Sequence, residues 1–171
     1  MTISMYSASV PVFKNMLGNL SHFLDKAQAH AEARKFDPQV LVDYRLAPDM
    51  LPFKRQVLIA CDAAKNGLAR LAGVEAPKFE DKENSLPELK ERIRKTLDYL
   101  DSVPRDSIDG CEDKEITFPS GRDSTRTMKG EAYLLNWALP NLFFHVTTAY
   151  AILRHNGVEL GKGDYLMGPR A

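Results

Sequence analysis

The sequence predicts an all-α fold, four main helices with a small β-hairpin inserted before the last, and three observations carry that prediction. Apolar residues recur every three or four positions in three long segments, the spacing of an amphipathic helix. The stretch from Leu134 to Leu166 holds a denser run, where Phe144, Val146, Ala149, Ala151, Ile152 and Leu153 are apolar on nearly all sides, as suits a helix packed against several neighbours. Between Pro104 and Gly130 the period changes to short threonine-rich or alternating runs. A chain of 171 residues, 44% hydrophobic and 27% charged, is expected to form a single domain over residues 1–171 with a substantial core.

The first helix is written in Val12, Phe13, Met16, Leu17, Leu20, Phe23, Leu24, Ala27 and Ala31, with Pro11 tolerated near its start. His30 falls on that apolar stripe and is a pocket candidate, the alternative being a core-edge histidine hydrogen-bonded to a neighbour. His22 shares the opposite face with Asn15, Asn19 and Lys26 and is expected to be solvated. Asp37 and Pro38 start a short helical turn reaching about Tyr44, and Pro48 then interrupts.

From about Met50, the residues Phe53, Val57, Cys61, Ala64, Leu68 and Leu71 mark a second long helix that Gly73 ends. Asp62 follows an all-apolar run, so it is either a boundary carboxylate paired with Lys65 or a metal ligand or general base. After a charged linker from Val74 to Asn84, Ser85 and Glu88 spell a capping box for the third helix. Its stripe is Leu86, Leu89, Ile93, Leu97 and Leu100, and Lys90, Glu91, Arg92, Arg94 and Lys95 read as a solvated face.

Glu115 to Phe118 and Ser124 to Met128, separated by a proline- and glycine-bearing turn, are expected to form a hairpin over about 114–128. Pro140 cannot donate its backbone N–H, so Gly130 to Ala138 is either a separate short helix or the kinked first part of the last one, and the kink is preferred. Arg154 and His155 place positive charge on the final turn, Gly157 stops the helix, and a turn-rich tail over 158–171 follows, in which Lys162 and Asp164 border a pocket.

Charge and motifs exclude several functions. Twenty-three basic residues balance 23 acidic ones, so no global field favours nucleic acid or an anionic membrane. The opening MTISMYSASVPVF lacks a basic leader, and the run from Leu142 to Leu153 is too short to span a bilayer and contains His145. Cys61 and Cys111 form no CxxC pair and no disulfide framework, which points to a cytoplasmic protein. There is no phosphate-binding glycine loop, HExxH or GxSxG.

The stretches SMYSASVPVF, RLAPDMLPFKRQV and NLFFHVTTAYAILRHNGVELGKGDYL resemble a mostly microbial family of unknown function, nearly end to end. That family is similar to the wider DinB/YfiT-like group of four-helix bundles, whose last helix ends as Leu153, Arg154, His155, Asn156, Gly157 and Val158 do here. The resemblance implies a divalent metal, zinc or nickel, held by three histidines, one on the second helix and two spaced HxxxH on the last, often serving thiol-dependent chemistry. Counted back from Arg154, the HxxxH positions are Asn141 and His145, and the second-helix position falls near Cys61 or Asp62. The implied metal set is therefore Asp62 (or Cys61), Asn141 and His145, in which an amide is a poor zinc or nickel ligand beside imidazole.

Three readings follow. The first is a bundle that binds a small molecule, with or without metal, at a degenerate metal site lined by Asp62, Asn141 and His145, with His30, Cys61 and Trp137 as further pocket residues. The second is a metal-dependent enzyme or thiol transferase in which His145 and Asp62 are the catalytic groups. The third is a non-catalytic homodimeric interaction module. His145, beside Phe143 and Phe144, is equally consistent with a satisfied core histidine.

Overall fold

The computed structural model describes residues 3–121 and 123–168; Arg122 of the expected hairpin turn and residues 169–171 of the expected tail lie outside them. Helix α1 (Met5–Arg34) begins well before Pro11, because Ser4 and Ser7 cap each other's backbone N–H groups. Pro11 therefore sits inside the helix, where the Ser7 carbonyl it leaves unbonded faces solvent. Lys35, with φ 57°, ends the helix in the left-handed region.

A short helix α2 (Gln39–Asp43) follows, with the Asp37 carboxylate accepting the Gln39 N–H at 2.9 Å. Helix α3 (Phe53–Ala72) ends at Gly73 with φ 74°, as its sequence requires. In α4 (Leu86–Ser102), Ser85 caps Glu88, but the Glu88 carboxylate takes the Asn84 N–H, one residue before the donor that a reciprocal capping box would use.

Strands β1 (Glu115–Pro119) and β2 (Thr125–Lys129) form an antiparallel pair with Thr117 opposite Thr127. Ile116 and Phe118 face the core, and the Phe118 ring lies 4.8 Å from Tyr133 and 4.9 Å from Trp137. Helix α5 (Gly130–Tyr133) starts directly after β2, and a side chain at Gly130 would meet the Cys111 carbonyl at 2.0 Å, so only glycine fits this joint.

A π-helical turn, Leu134–Ala138, links α5 to α6 (Leu139–His155). The expected kink thus takes the form of a widened turn immediately before Pro140, which then sits in the first turn of α6, where a missing N–H costs least. Gly157, with φ 84°, stops α6. The expected turn-rich tail contains a further helix, α7 (Lys162–Met167), packed on α1, with the Asn19 amide donating to the Tyr165 carbonyl at 2.7 Å.

Four long helices close a ring: α1 packs on α6, α6 on α3, α3 on α4, and α4 on α1. The α3–α4 neighbours are joined by the charged linker, whereas the longer connections through α2 and through the hairpin cross between less closely packed pairs. The core runs along the ring's axis through Phe13, Leu17, Leu20, Phe53, Leu68 and Val146. No helix among the described residues is long and apolar enough to cross a membrane.

Candidate functional site

On the α3–α6 seam, His145 Nδ1 meets Gln56 Oε1 at 2.7 Å. Gln56 is 2% exposed, and its amide nitrogen donates to the Leu51 carbonyl at 3.0 Å. Turning the amide over would set its oxygen against that carbonyl, so Oε1 must face the imidazole and accept from Nδ1–H. Burial pushes the His145 pKa down to about 4, and the ring is neutral at pH 7. Its Nε2 lone pair has no protein partner among the described residues.

The Phe144 ring meets the imidazole edge to face at 5.2 Å and is 58% exposed, and Leu51, whose carbonyl anchors Gln56, is 45% exposed. Asn141 lies one turn before His145 on the same face, half-buried.

Asp62 is held elsewhere. Its carboxylate pairs with Lys65 at 3.0 Å and with Arg92 at 3.3 Å, in the direction of α4. Gln56 and Asp62 are six residues apart on one helix, which separates them by roughly 9 Å along the axis and turns them to different faces. Cys61 also points toward α4: burial raises its thiol to about 12, against the opposing pull of Thr96 and the Arg92 charge, so it stays protonated and inert.

His30 is half-buried against Phe36, with ring centroids 5.7 Å apart, so it is the core-edge residue of the structural reading, though held by packing. Trp137 packs on Phe118 and under Arg126, roughly 12 Å of helix away from His145.

Two residues expected to be solvated are not. His22 Nε2 lies 3.0 Å from the Asp164 carboxylate, which also accepts from Lys26 at 3.1 Å and from the Gly161 N–H at 2.7 Å. Burial opposes the Asp164 charge, but these donors outweigh it and hold the pKa at about 2. Arg92, placed by its sequence in a charged surface run, is 1% exposed. Its Nη atoms reach Glu83 at 3.0 Å, Asp81 at 3.0 Å, Asp62 at 3.3 Å and the Glu80 carbonyl at 3.1 Å.

Signals for these residues were partly visible. Gln56 falls three residues after Phe53 and four before Ala60, an amide on a buried stripe, and Arg92 falls three after Leu89 and four before Thr96. His22 offered no local signal, since Asp164 is 142 residues away in sequence.

The donors present do not fit a three-histidine zinc or nickel centre. The second-helix group that reaches His145 is Gln56, whose oxygen is occupied by the Nδ1–H, and no group of three His, Cys, Asp or Glu among the described residues is arranged to hold a metal.

The closed ring of four helices, the hairpin crossover and the Arg154–Gly157 ending define a DinB-like helical bundle. The chain is similar to the crystal structure of a DinB family member protein from Shewanella denitrificans, at 45% identity and a TM-score of 0.88, over 97% of this chain and 94% of that one. Residues 5–166 match the domain of unknown function DUF1993, and the chain belongs to that family. No curated protein matches it.

Proposed function

We propose that this DinB-like bundle binds a small molecule at the seam formed by Gln56, Asn141 and His145, without a metal. The observation that carries the reading is the Gln56–His145 hydrogen bond, which fixes a neutral imidazole with Nε2 as an unused acceptor. Such a nitrogen accepts from a ligand O–H or N–H, while the exposed Phe144 and Leu51 receive the ligand's apolar body. Asn141, one turn away, supplies both a donor and an acceptor.

The test is an NMR titration of the purified protein with phenol and indole, alongside elemental analysis after incubation with zinc and nickel. Shifts confined to residues 51–56 and 141–148, lost in His145→Ala, support the reading. Near-stoichiometric metal that disappears in the same variant would sink it and restore the metal-dependent enzyme, with thiol substrates as the next assay.

A further inference from the structure

The 78–83 segment of the linker faces the first turns of α4 across a cleft of about 600 Å³. Its inner wall holds Arg92 and Glu83, and Phe79 and Pro87 supply the apolar surface. The Arg92 guanidinium uses both Nη atoms on Asp62, Asp81, Glu83 and the Glu80 carbonyl, yet its Nε–H is buried with no partner. Glu83 is in the same condition: Oε1 takes Arg92, and Oε2 is buried and unpaired.

An unpaired buried donor and an unpaired buried acceptor each destabilise the fold, and side chains left so in a folded protein call for an explanation. Here the two belong to one ion pair lining one cleft. The wall that carries Glu83 is also able to yield, because residues 75–83 make no backbone–backbone hydrogen bond among the described residues. Side chains hold the segment instead: Arg55 on Asp81, Arg92 on Asp81 and Glu83, and Phe79 between Lys65 Nζ at 4.7 Å and Arg92 at 5.1 Å.

Charge decides what class of molecule fits. The rim sets Lys78, Lys82 and Lys95 against Glu80, Glu88 and Glu91, and the Arg92 cation is already matched by carboxylates. Neither an anion nor a cation gains there.

We infer that this cleft binds a neutral small molecule with a carboxamide-like edge, its N–H donating to Glu83 and its carbonyl accepting from Arg92 Nε–H, with an apolar body on Phe79 and Pro87. Lactams, ureides and primary amides share that edge. The site shares no residue with the His145 seam, so His145→Ala leaves it unchanged.

The probes are benzamide, which has the edge, and N,N-dimethylbenzamide, which keeps the carbonyl and lacks the donor, each titrated into the full chain and followed by backbone-amide NMR. Benzamide is expected to shift residues 79–83 and 87–95 and to bind at least about tenfold more tightly than its dimethyl analogue. Glu83→Ala, checked for folding by its thermal melt, should erase that preference. Equal binding of the two probes, shifts located elsewhere, or no binding at millimolar concentration would overturn the inference and leave a single water as the partner of both atoms.

Discussion

His145 titrates where an ordinary histidine does not. Its folded pKa of about 4 lies below the 6.5 of an unperturbed imidazole. Between those values the unfolded chain binds a proton that the folded ring refuses. Its contribution is therefore complete above about pH 6.5 and is lost as pH falls toward 4, by up to about 3 kcal/mol. Denaturant melts across that window, with the His145 ring protons followed by NMR, measure both quantities. Gln56→Met keeps the volume but strands the Nδ1–H, and should cost about 1–3 kcal/mol in the same melts at pH 7. Arg92→Met removes the cation that holds Asp62, Asp81 and Glu83 together. The expected loss is about 2–3 kcal/mol, below that of a fully buried pair because the three carboxylates keep some solvent. The family resemblance, with its HxxxH positions counted back from Arg154, pointed to Asn141 and His145. It did not find Gln56, because an amide carries no metal-ligand signature and Gln56 stands more than a turn of α3 before Cys61 and Asp62, where the resemblance put the second-helix position.

Caps and stops account for most of the elements. Gly73, Ser85 and Gly157 act within a few residues of themselves, and the helices they bound are where their sequence places them. Helix α1 extends past its expected start because the Ser4–Ser7 box outweighs one lost hydrogen bond at an exposed proline. The tail helix α7 has little to hold it locally and is docked by α1 instead, through Asn19, His22 and Lys26. Asp164 is the hub of that docking. Its folded pKa of about 2 lies below its ordinary 3.8, so its contribution is complete above about pH 4 and is lost as pH falls through 2. Asp164→Asn should loosen the tail at pH 7 as well, seen as faster hydrogen exchange confined to residues 161–168. Unchanged exchange there would mean that Tyr165, stacked on Phe23 and edge to face with Tyr150, holds the tail together with the Asn19 hydrogen bond.

At the scale of the whole molecule, the hairpin is more than a cover. Phe118, 1% exposed, closes the core against Tyr133 and Trp137 at the point where the chain crosses into the last helix. Phe118→Ala should cost about 3–5 kcal/mol, read as a lower midpoint in urea, whereas a hairpin merely laid on the surface would lose little. By itself the sequence determined the four long helices, the stops at Gly73 and Gly157 and the hairpin, because these depend on side chains three or four residues apart and on caps within one turn; the DinB-like order came from the family resemblance. Only the tertiary structure decided which polar groups meet. Each residue of helix turns the chain by about 100° and advances it by about 1.5 Å, so the rotation and axial register of α3 and α4 together set Gln56 against His145, turn Asp62 toward α4 and put Arg92 among carboxylates.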